Sequence, residues 1–309
     1  MQPRVTVAVV TRDRADSLER TLRALRELDY PSFEILAVDN DSSDRTPDLL
    51  RELADATIFV PSARGIGFCR RTAVERASGE IVAFLDDDCV PVRSWLSHHV
   101  RRLQANPRLG LVGGRVVNIG FGAGKENKGL SRLDRNGTCR FVEAAEADFY
   151  GNENLAFRRE IVLSIGNYDP FFNVMAEIDL QTRLKRAGFE TEYAPEASVE
   201  HHYTGRSLKR RHVFQGPELV RLYFFFKNHC PRGFTAWRGF AGYEWRLLKH
   251  DLRRAVRSAG AGLFHRREGM FRVGVVDLLN SLAARFAIPW LLWRTRPARR
   301  QLVLNGETS

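Results

Sequence analysis

Ile81-Val82-Ala83-Phe84-Leu85-Asp86-Asp87-Asp88-Cys89-Val90-Pro91 is the stretch that decides the fold. Five apolar residues run straight into three carboxylates, and a proline comes shortly after. A short, unbroken apolar run of this kind is a strand buried on both sheet faces. Three acids cannot stay unpaired in that dry interior, so the strand must surface where they begin, at a crevice. Their like charges call for a cation, and carboxylate oxygens suit a hard divalent ion such as Mg²⁺ or Mn²⁺. The alternative is an acidic turn in which Asp88 caps a helix that begins near Pro91.

The residues around this stretch predict an alternation of strands and helices. Residues 4–10 read as a buried strand, and Asp16 to Leu28 as a helix with Leu18, Leu22, Leu25 and Leu28 on one face and Asp16 or Ser17 as N-cap. Phe33 to Val38 is a second apolar strand ending in acids, Asp39-Asn40-Asp41-Ser42-Ser43-Asp44. A helix through Leu53, a strand at Thr57–Val60 and a helix from Gly65 to Ala77, closed by Gly79, come next. After the acid triplet come a helix at Trp95–Leu103 and a strand at Leu109–Val117. This spacing predicts βαβ units and a parallel sheet, with ligands bound beyond the carboxyl ends of the strands. Asp39/Asp41 and Asp86/Asp88 would then open into one crevice.

No G-x-G-x-x-G follows the first strand, and there is no Walker A lysine motif, which removes support from dinucleotide and P-loop readings. Gly65-Ile66-Gly67 is better explained by a turn needing positive φ than by a phosphate cradle. Residues 118–140, rich in Gly, Lys, Arg and Asn, read as a long loop. Ala176 to Ala187 reads as a helix with Gly188 at its C′ position, and Glu177 and Asp179 stand in its first turn, where the helix dipole favours acids in any case.

Composition is that of a globular protein: 309 residues, 44% hydrophobic and 28% charged. Cys69, Cys89, Cys139 and Cys230 show no C-x-x-C spacing, so neither a zinc site nor a disulfide framework is expected. Val5–Val10 is too short for a signal-peptide core, which predicts a cytoplasmic protein, at most peripheral on the inner face of the membrane. The net charge of +11 is unevenly spread. Residues 201–309 carry 21 Lys+Arg against 6 Asp+Glu, leaving 27 against 31 for the first 200. The basic part is therefore the C-terminal third, which should meet something anionic.

Seven short motifs in order resemble glycosyltransferase family 2, the inverting nucleotide-sugar transferases of GT-A fold. They are Val10-Thr11-Arg12-Asp13-Arg14, Val38 to Asp44, Arg64-Gly65-Ile66-Gly67, Leu85 to Asp88, Asn154-Leu155-Ala156-Phe157-Arg158-Arg159, Glu177-x-Asp179-Leu180-x-x-Arg183-Leu184-x-x-x-Gly188 and Pro195-x-Ala197-x-Val199-x-His201. The resemblance covers residues 4 to about 205. It implies an α/β, GT-A-like, mostly parallel sheet flanked by helices. Residues 1–205 would be catalytic, with nucleotide-sugar binding in about 1–117 and the acceptor side in about 118–205. Residues 206–309 would add a basic, aromatic-rich helical region.

By the same resemblance the donor is a UDP-, GDP- or dTDP-sugar, and the acceptor a glycan or lipid-linked hydroxyl in cell-envelope synthesis. Asp39 would meet the base or ribose with Asp41 nearby, and Asp86 the ribose or sugar. Thr11, Arg12, Arg64 and Asp87 complete the donor set. Asp88 and His201 would hold Mg²⁺ or Mn²⁺, needed for a diphosphate leaving group. Glu177 stands where the family has its catalytic Asp and is the first choice as base, with Asp179 the second. The family's Asn residues are replaced by Asp13 and Arg71.

The basic third interleaves Trp237, Phe240, Trp245, Leu248 and Leu252 with Arg238, Arg246, Lys249, Arg253 and Arg254. Met270 to Trp293 is apolar but interrupted by Arg272, Asp277, Asn280, Arg285 and Pro289, a poor membrane span. Trp290 and Trp293, followed by Arg294, Arg296, Arg299 and Arg300, resemble an interfacial anchor for an anionic membrane surface. The competing reading is helices packed within the protein with solvated arginines. Two other functions stand beside the transferase. A nucleotidyltransferase should carry a Gly/Lys/Arg-rich loop after its first strand, and Thr11-Arg12-Asp13-Arg14 lacks the glycines. A non-enzymatic binder of anionic polymers leaves Asp39, Asp86 and Asp88 unexplained, and no nucleic acid is expected as partner.

Overall fold

The structure, a computed structural model, describes residues 2–120, 130–134, 139–203, 217–229, 233–264 and 279–297. Cys230, Arg299, Arg300 and parts of the 118–140 and 270–293 stretches lie outside the described residues. In chain order the first half forms β1 (Val5–Thr11), α1 (Ala15–Arg26), β2 (Phe33–Asp39), α2 (Thr46–Leu53), β3 (Ala56–Phe59), α3 (Ile66–Arg76), β4 (Ile81–Leu85), β5 (Cys89–Pro91), α4 (Trp95–Ala105) and β6 (Leu109–Gly120). Then come β7 (Leu130–Leu133), β8 (Cys139–Phe141), β9 (Phe149–Tyr150), β10 (Asn154–Arg158), α5 (Arg159–Ser164), α6 (Ala176–Arg186) and β11 (Glu190–Tyr203).

Eight strands make one sheet in the order β3-β2-β1-β4-β10-β6-β11-β5. All five side chains of β4 are buried, as its unbroken apolar run requires. β1 pairs in parallel with both β2 and β4, so the strand order reverses there. A reversal of this kind opens a crevice at the carboxyl ends. Thr11 lies opposite Asp39 in the β1–β2 register, and the acid triplet leaves the end of β4 on the same edge. The expected parallel order holds for β3-β2-β1-β4 and for β6 with β11. β10 and β5 run antiparallel to their neighbours.

Several local expectations need correction. Asp88 caps no helix: the chain re-enters the sheet as β5, and α4 starts at Trp95 with Ser94 at its N-cap. Neither Asp16 nor Ser17 caps α1. The Ala15 N–H instead donates to Asp44 Oδ2 (3.2 Å), so the loop after β2 supplies the cap. Gly79 does not close α3, which ends at Arg76. A Cβ at Gly79 would lie 2.5 Å from the Thr6 nitrogen, so close approach to β1 is what requires glycine. Residues 118–140 are not one loop, because they contain the end of β6, all of β7 and the start of β8. β7 and β8 form a small second sheet with β9.

The core lies between sheet and helices, with Leu18, Leu22 and Leu25 of α1 and Trp95 of α4 fully buried. Asn154, at the start of β10, ties four elements together. Its Nδ2 donates to the carbonyls of Arg115 (2.8 Å) and Ala197 (2.7 Å). Its Oδ1 accepts from Trp95 Nε1 (2.8 Å) and from His99 Nε2 (2.9 Å). Ala197 lies where Pro195 interrupts the β6–β11 ladder and the register shifts between Ala194 and Ser198. Asn154 therefore satisfies a carbonyl that the ladder leaves over.

Contacts divide the chain into two compact units, residues 1–132 with 139–205, and 133–138 with 206–309. In the second, α7 (Pro217–Asn228) and α8 (Gly233–Phe264) join a helical stretch at 279–286 and a short helix, Ile288–Arg294. Phe225 stacks on Phe240 at 4.8 Å. Buried Glu244 of α8 meets Arg221 Nη2 of α7 at 2.5 Å and Arg285 Nη2 at 3.3 Å, so one carboxylate anchors three helical stretches. No helix among the described residues is long and apolar enough to cross a membrane.

His99 generates a testable consequence. Burial pushes its pKa down to about 4 from 6.5, and it is held neutral with Nε2–H on Asn154. As pH falls the unfolded chain takes up this proton first. His99's contribution is thus complete above 6.5 and lost towards 4, about 3 kcal/mol at roughly 1.4 kcal/mol per pKa unit. In urea denaturation, the stability advantage of the wild type over His99→Asn should shrink by about that much between about pH 7 and pH 4. A difference that does not vary with pH would refute the assignment.

Candidate active site

The three acids after β4 stand in three different environments. Asp88 is buried, and its Oδ2 accepts from Arg14 Nη1 (2.9 Å) while its Oδ1 lies 3.1 Å from His201 Nε2. Burial works to raise the Asp88 carboxyl, but His201 and Arg14 outweigh it and hold it below the usual carboxylate range. Asp87, also buried, accepts from the Thr11 hydroxyl (2.7 Å), with Arg14 Nε 3.8 Å away. Burial pushes its pKa up to about 7 against the pull of Arg14 and Thr11. Asp86 is the most exposed of the three and lies 3.3 Å from Arg70 Nη2.

His201 reaches Asp88 because β11 pairs with β5, with His201 opposite Cys89. Its Nδ1 donates to Asn118 Oδ1 on β6 (3.2 Å), which leaves Nε2 facing the carboxylate. Burial tends to lower the His201 pKa, yet its bond to Asp88 raises it above 6.5.

Glu177 sits in the first turn of α6, after Met175 in a left-handed conformation (φ 61°). Asn152 Nδ2 donates to Glu177 Oε2 (2.8 Å), and the Tyr168 hydroxyl donates to Asn152 Oδ1 (2.7 Å). Burial raises the Glu177 pKa with help from Asp86, while Arg70 opposes it. Asp179, two residues on, is fully buried and paired twice with Arg183, at 2.8 Å to Nη2 and 2.9 Å to Nε. Arg183 also donates to the carbonyls of Ile165 and Asn167, so this pair pins the preceding loop to α6.

The remaining residues singled out from the sequence are more scattered. Asp39 is buried and accepts from the Ser42 N–H and hydroxyl, and burial raises its carboxyl. Asp41 is exposed in a left-handed conformation (φ 66°). Arg12 is exposed beside Asp13 (3.6 Å), and the Arg64 guanidinium lies over the Phe68 ring at 4.1 Å. Gly65 has φ 90°, as expected of a turn glycine, and a Cβ at Gly67 would lie 2.3 Å from the Phe172 carbonyl. Arg71 donates to the Gly166 and Tyr168 carbonyls, and Asp13 accepts from the Ser43 N–H.

Arg14, Arg70, Asn118, Asn152 and Glu153 belong to this cluster, and the sequence pattern assigned none of them a role. Glu153 is pushed up to about 7 by burial, with Asp86 and Glu177 adding and His201 opposing. One signal was available: Gly151-Asn152-Glu153 precedes an apolar strand. Only the antiparallel pairing of Asn154 with Leu85 brings that stretch to the acidic edge.

Among the described residues the group able to hold a metal ion is Asp88, Cys89 and His201. Burial raises the Cys89 thiol well above 9.0, so it stays protonated and is a weak donor. The carboxylate oxygen and the imidazole nitrogen fit a hard divalent cation, and the bond from Nδ1 to Asn118 holds the ring for that purpose.

The profile described as glycosyl transferase family 2 matches residues 6–166. Glycosyltransferase AglE of Haloferax volcanii is 26% identical over 278 residues, covering 85% of this chain and 90% of its own. The glucosyl-dolichyl phosphate glucuronosyltransferase of the same organism is 26% identical over 178 residues, covering 55% of this chain and 56% of its own. This chain thus spans little more than half of that relative. Among solved structures, the mannosyltransferase PcManGT of Pyrobaculum calidifontis, in complex with GDP-Man and Mn²⁺, superposes with a TM-score of 0.51 at 21% identity. The match covers 98% of this chain and 76% of that one.

Arg14 provides a test of the cluster's electrostatics. Arg14→Met leaves Asp87 and Asp88 buried without their guanidinium, which should lower stability by about 3 kcal/mol in chelator. Added Mn²⁺ should recover part of this loss in chemical denaturation. Equal losses with and without Mn²⁺ would argue against cation binding at Asp88.

Proposed function

The chain belongs to glycosyl transferase family 2 and has the GT-A fold, and from that premise we propose that it is a metal-dependent, inverting hexosyltransferase. In this reading it moves a sugar from a UDP-, GDP- or dTDP-linked donor to a hydroxyl of a glycan or lipid-linked acceptor in cell-envelope synthesis. The observation that carries the reading is the meeting, at one sheet edge, of a cation-balanced acid triplet with Glu177 oriented by Asn152.

Asp39 lies at the end of β2 on the donor edge and takes the base or ribose. Asp86, steadied by Arg70, takes the ribose or sugar. Thr11, on the same edge, fixes Asp87 through its hydroxyl. Asp88 and His201 hold Mg²⁺ or Mn²⁺, which when bound supplies positive charge to the diphosphate leaving group. Arg14 already neutralises the other oxygen of Asp88 and so keeps its carboxylate ionised for that task.

Glu177 acts as the base that takes the proton of the attacking hydroxyl. Its raised pKa increases its proton affinity, and Asn152 sets the direction of its carboxylate. Asp179 is excluded from acceptors by burial and committed to Arg183, which makes it a positioning residue for α6. The Mn²⁺ and GDP-Man of the mannosyltransferase and the dolichyl phosphate in the relative's name support a metal and a lipid-linked acceptor.

Glu177→Gln should reduce transfer by about 10² to 10⁴ while leaving Mn²⁺-dependent nucleoside diphosphate binding in calorimetry unchanged. Unaltered turnover would refute Glu177 as the base. Asp88→Asn should instead abolish the metal dependence of that binding. Because the base acts only when deprotonated, kcat should fall on the acid side at a pH above the ordinary carboxylate value of 4.5. An acid limb at or below that value would contradict Glu177's role.

A further inference from the structure

The second unit carries large apolar side chains that point away from its own core. On α8, Trp245, Leu252 and Val256 are exposed, and exposed Lys249 lies among them with its Nζ 5.2 Å from the Trp245 ring centroid. Their spacing of four, three and four residues puts all four on one narrow helical face. In the 279–294 stretch, Leu279, Phe286, Trp290 and Trp293 repeat the pattern, with Phe286 83% and Trp293 68% exposed. The two faces are tied together by the Glu244–Arg285 pair, since Trp245 follows Glu244 and Phe286 follows Arg285 in the chain. Exposed apolar residues of the first unit, such as Phe59 and Val174, lie on separate elements instead.

Charge identifies what such a face would meet. Arg238, Arg246, Lys249, Arg253, Arg294 and Arg296 are exposed around it. Of the carboxylates of 217–297 whose side chains the structure describes, Glu244 is buried in its arginine pairs and Glu218 is partly buried. The Arg294 guanidinium lies 5.5 Å from the Trp290 ring centroid and 5.9 Å from that of Tyr223. Trp293, Arg294, Arg296 and Pro297 line a cavity of about 430 Å³. Aromatic and aliphatic side chains ringed by exposed cations match a surface that is apolar within and anionic at its rim. A protein partner would need acids and an apolar patch together, whereas an anionic bilayer offers both over any area.

We propose that the exposed face of α8 and of residues 279–294 docks on the surface of an anionic lipid bilayer, with Trp245, Phe286, Trp290 and Trp293 entering the headgroup region and the surrounding Arg and Lys side chains meeting lipid phosphates. The face lies flat on the membrane and does not cross it, since no described helix is long and apolar enough. This docking is independent of the transferase reading, and its failure would leave that reading intact.

The test is flotation of the full chain with phosphatidylglycerol–phosphatidylcholine vesicles against phosphatidylcholine alone, over a salt series, with tryptophan emission recorded in parallel. The expected result is flotation with the anionic vesicles only, weakening as salt rises, with a blue shift of emission on binding. Two surface variants, Phe286→Ser/Trp293→Ser and Arg294→Glu/Arg296→Glu, should each reduce vesicle binding about tenfold or more. Both alter exposed side chains, so their circular-dichroism melts should match the wild type. If either variant fails to fold, the salt series and emission shift of the wild type decide by themselves. Absence of flotation at low salt, equal flotation with neutral vesicles, or wild-type binding by folded variants overturns the proposal. So does a dimer in sedimentation that the serine variant dissolves without any vesicle binding, which would make the face a contact between copies of the chain.

Discussion

Three consecutive carboxylates at the end of a strand buried on both faces must be balanced within a few ångströms, and the first unit is arranged around that requirement. Arg14 comes from the turn before α1, Arg70 from α3, Thr11 from the end of β1 and His201 from β11. Removing Arg14 would leave buried Asp87 without a cation and Asp88 with His201 alone, and a buried unpaired charge is among the most destabilising features a protein can hold. The reversal of strand order at β1 is what makes the balance possible, because it opens the sheet where the acids emerge.

The same chemistry in neighbouring positions gives different groups. Asp88 is held ionised by two cationic partners, whereas Asp87, buried with Arg14 alone and further from it, keeps its proton up to about 7. Glu177 and Asp179 divide in a similar way on one helix turn. Glu177 is oriented by a neutral amide with a raised proton affinity, and Asp179 is sealed against Arg183. Environment, more than residue type, thus sets how each carboxylate holds its proton and its partners. In the second unit Glu244 solves the opposite problem, one buried acid gathering two arginines so that three helical stretches turn their apolar residues outward in a fixed arrangement.

Much of this was legible in the residues. Apolar runs of strand length, Leu18, Leu22 and Leu25 at helical spacing, and Gly188 after α6 each depend on contacts between near neighbours in the chain. The seven ordered motifs pointed to the family that the matched profile identifies. Less legible were features set by distant partners. Asp44 capping α1, the reversed direction of β10 and β5, and the strands within residues 118–140 arise from packing that no local pattern encodes.

By itself the sequence determined the buried strands, the acidic edge and the basic C-terminal third, because hydrophobic period and charge are properties of adjacent residues. Only the tertiary structure decided which cation meets which acid. Arg14 reaches Asp88 across 74 positions, and Asn152 reaches Glu177 across 25. Such pairings arise when the sheet closes, and the energy of a charge depends on its surroundings in space rather than on its neighbours along the chain. The triplet Asp86-Asp87-Asp88 therefore read as one motif, and folding made it three different groups.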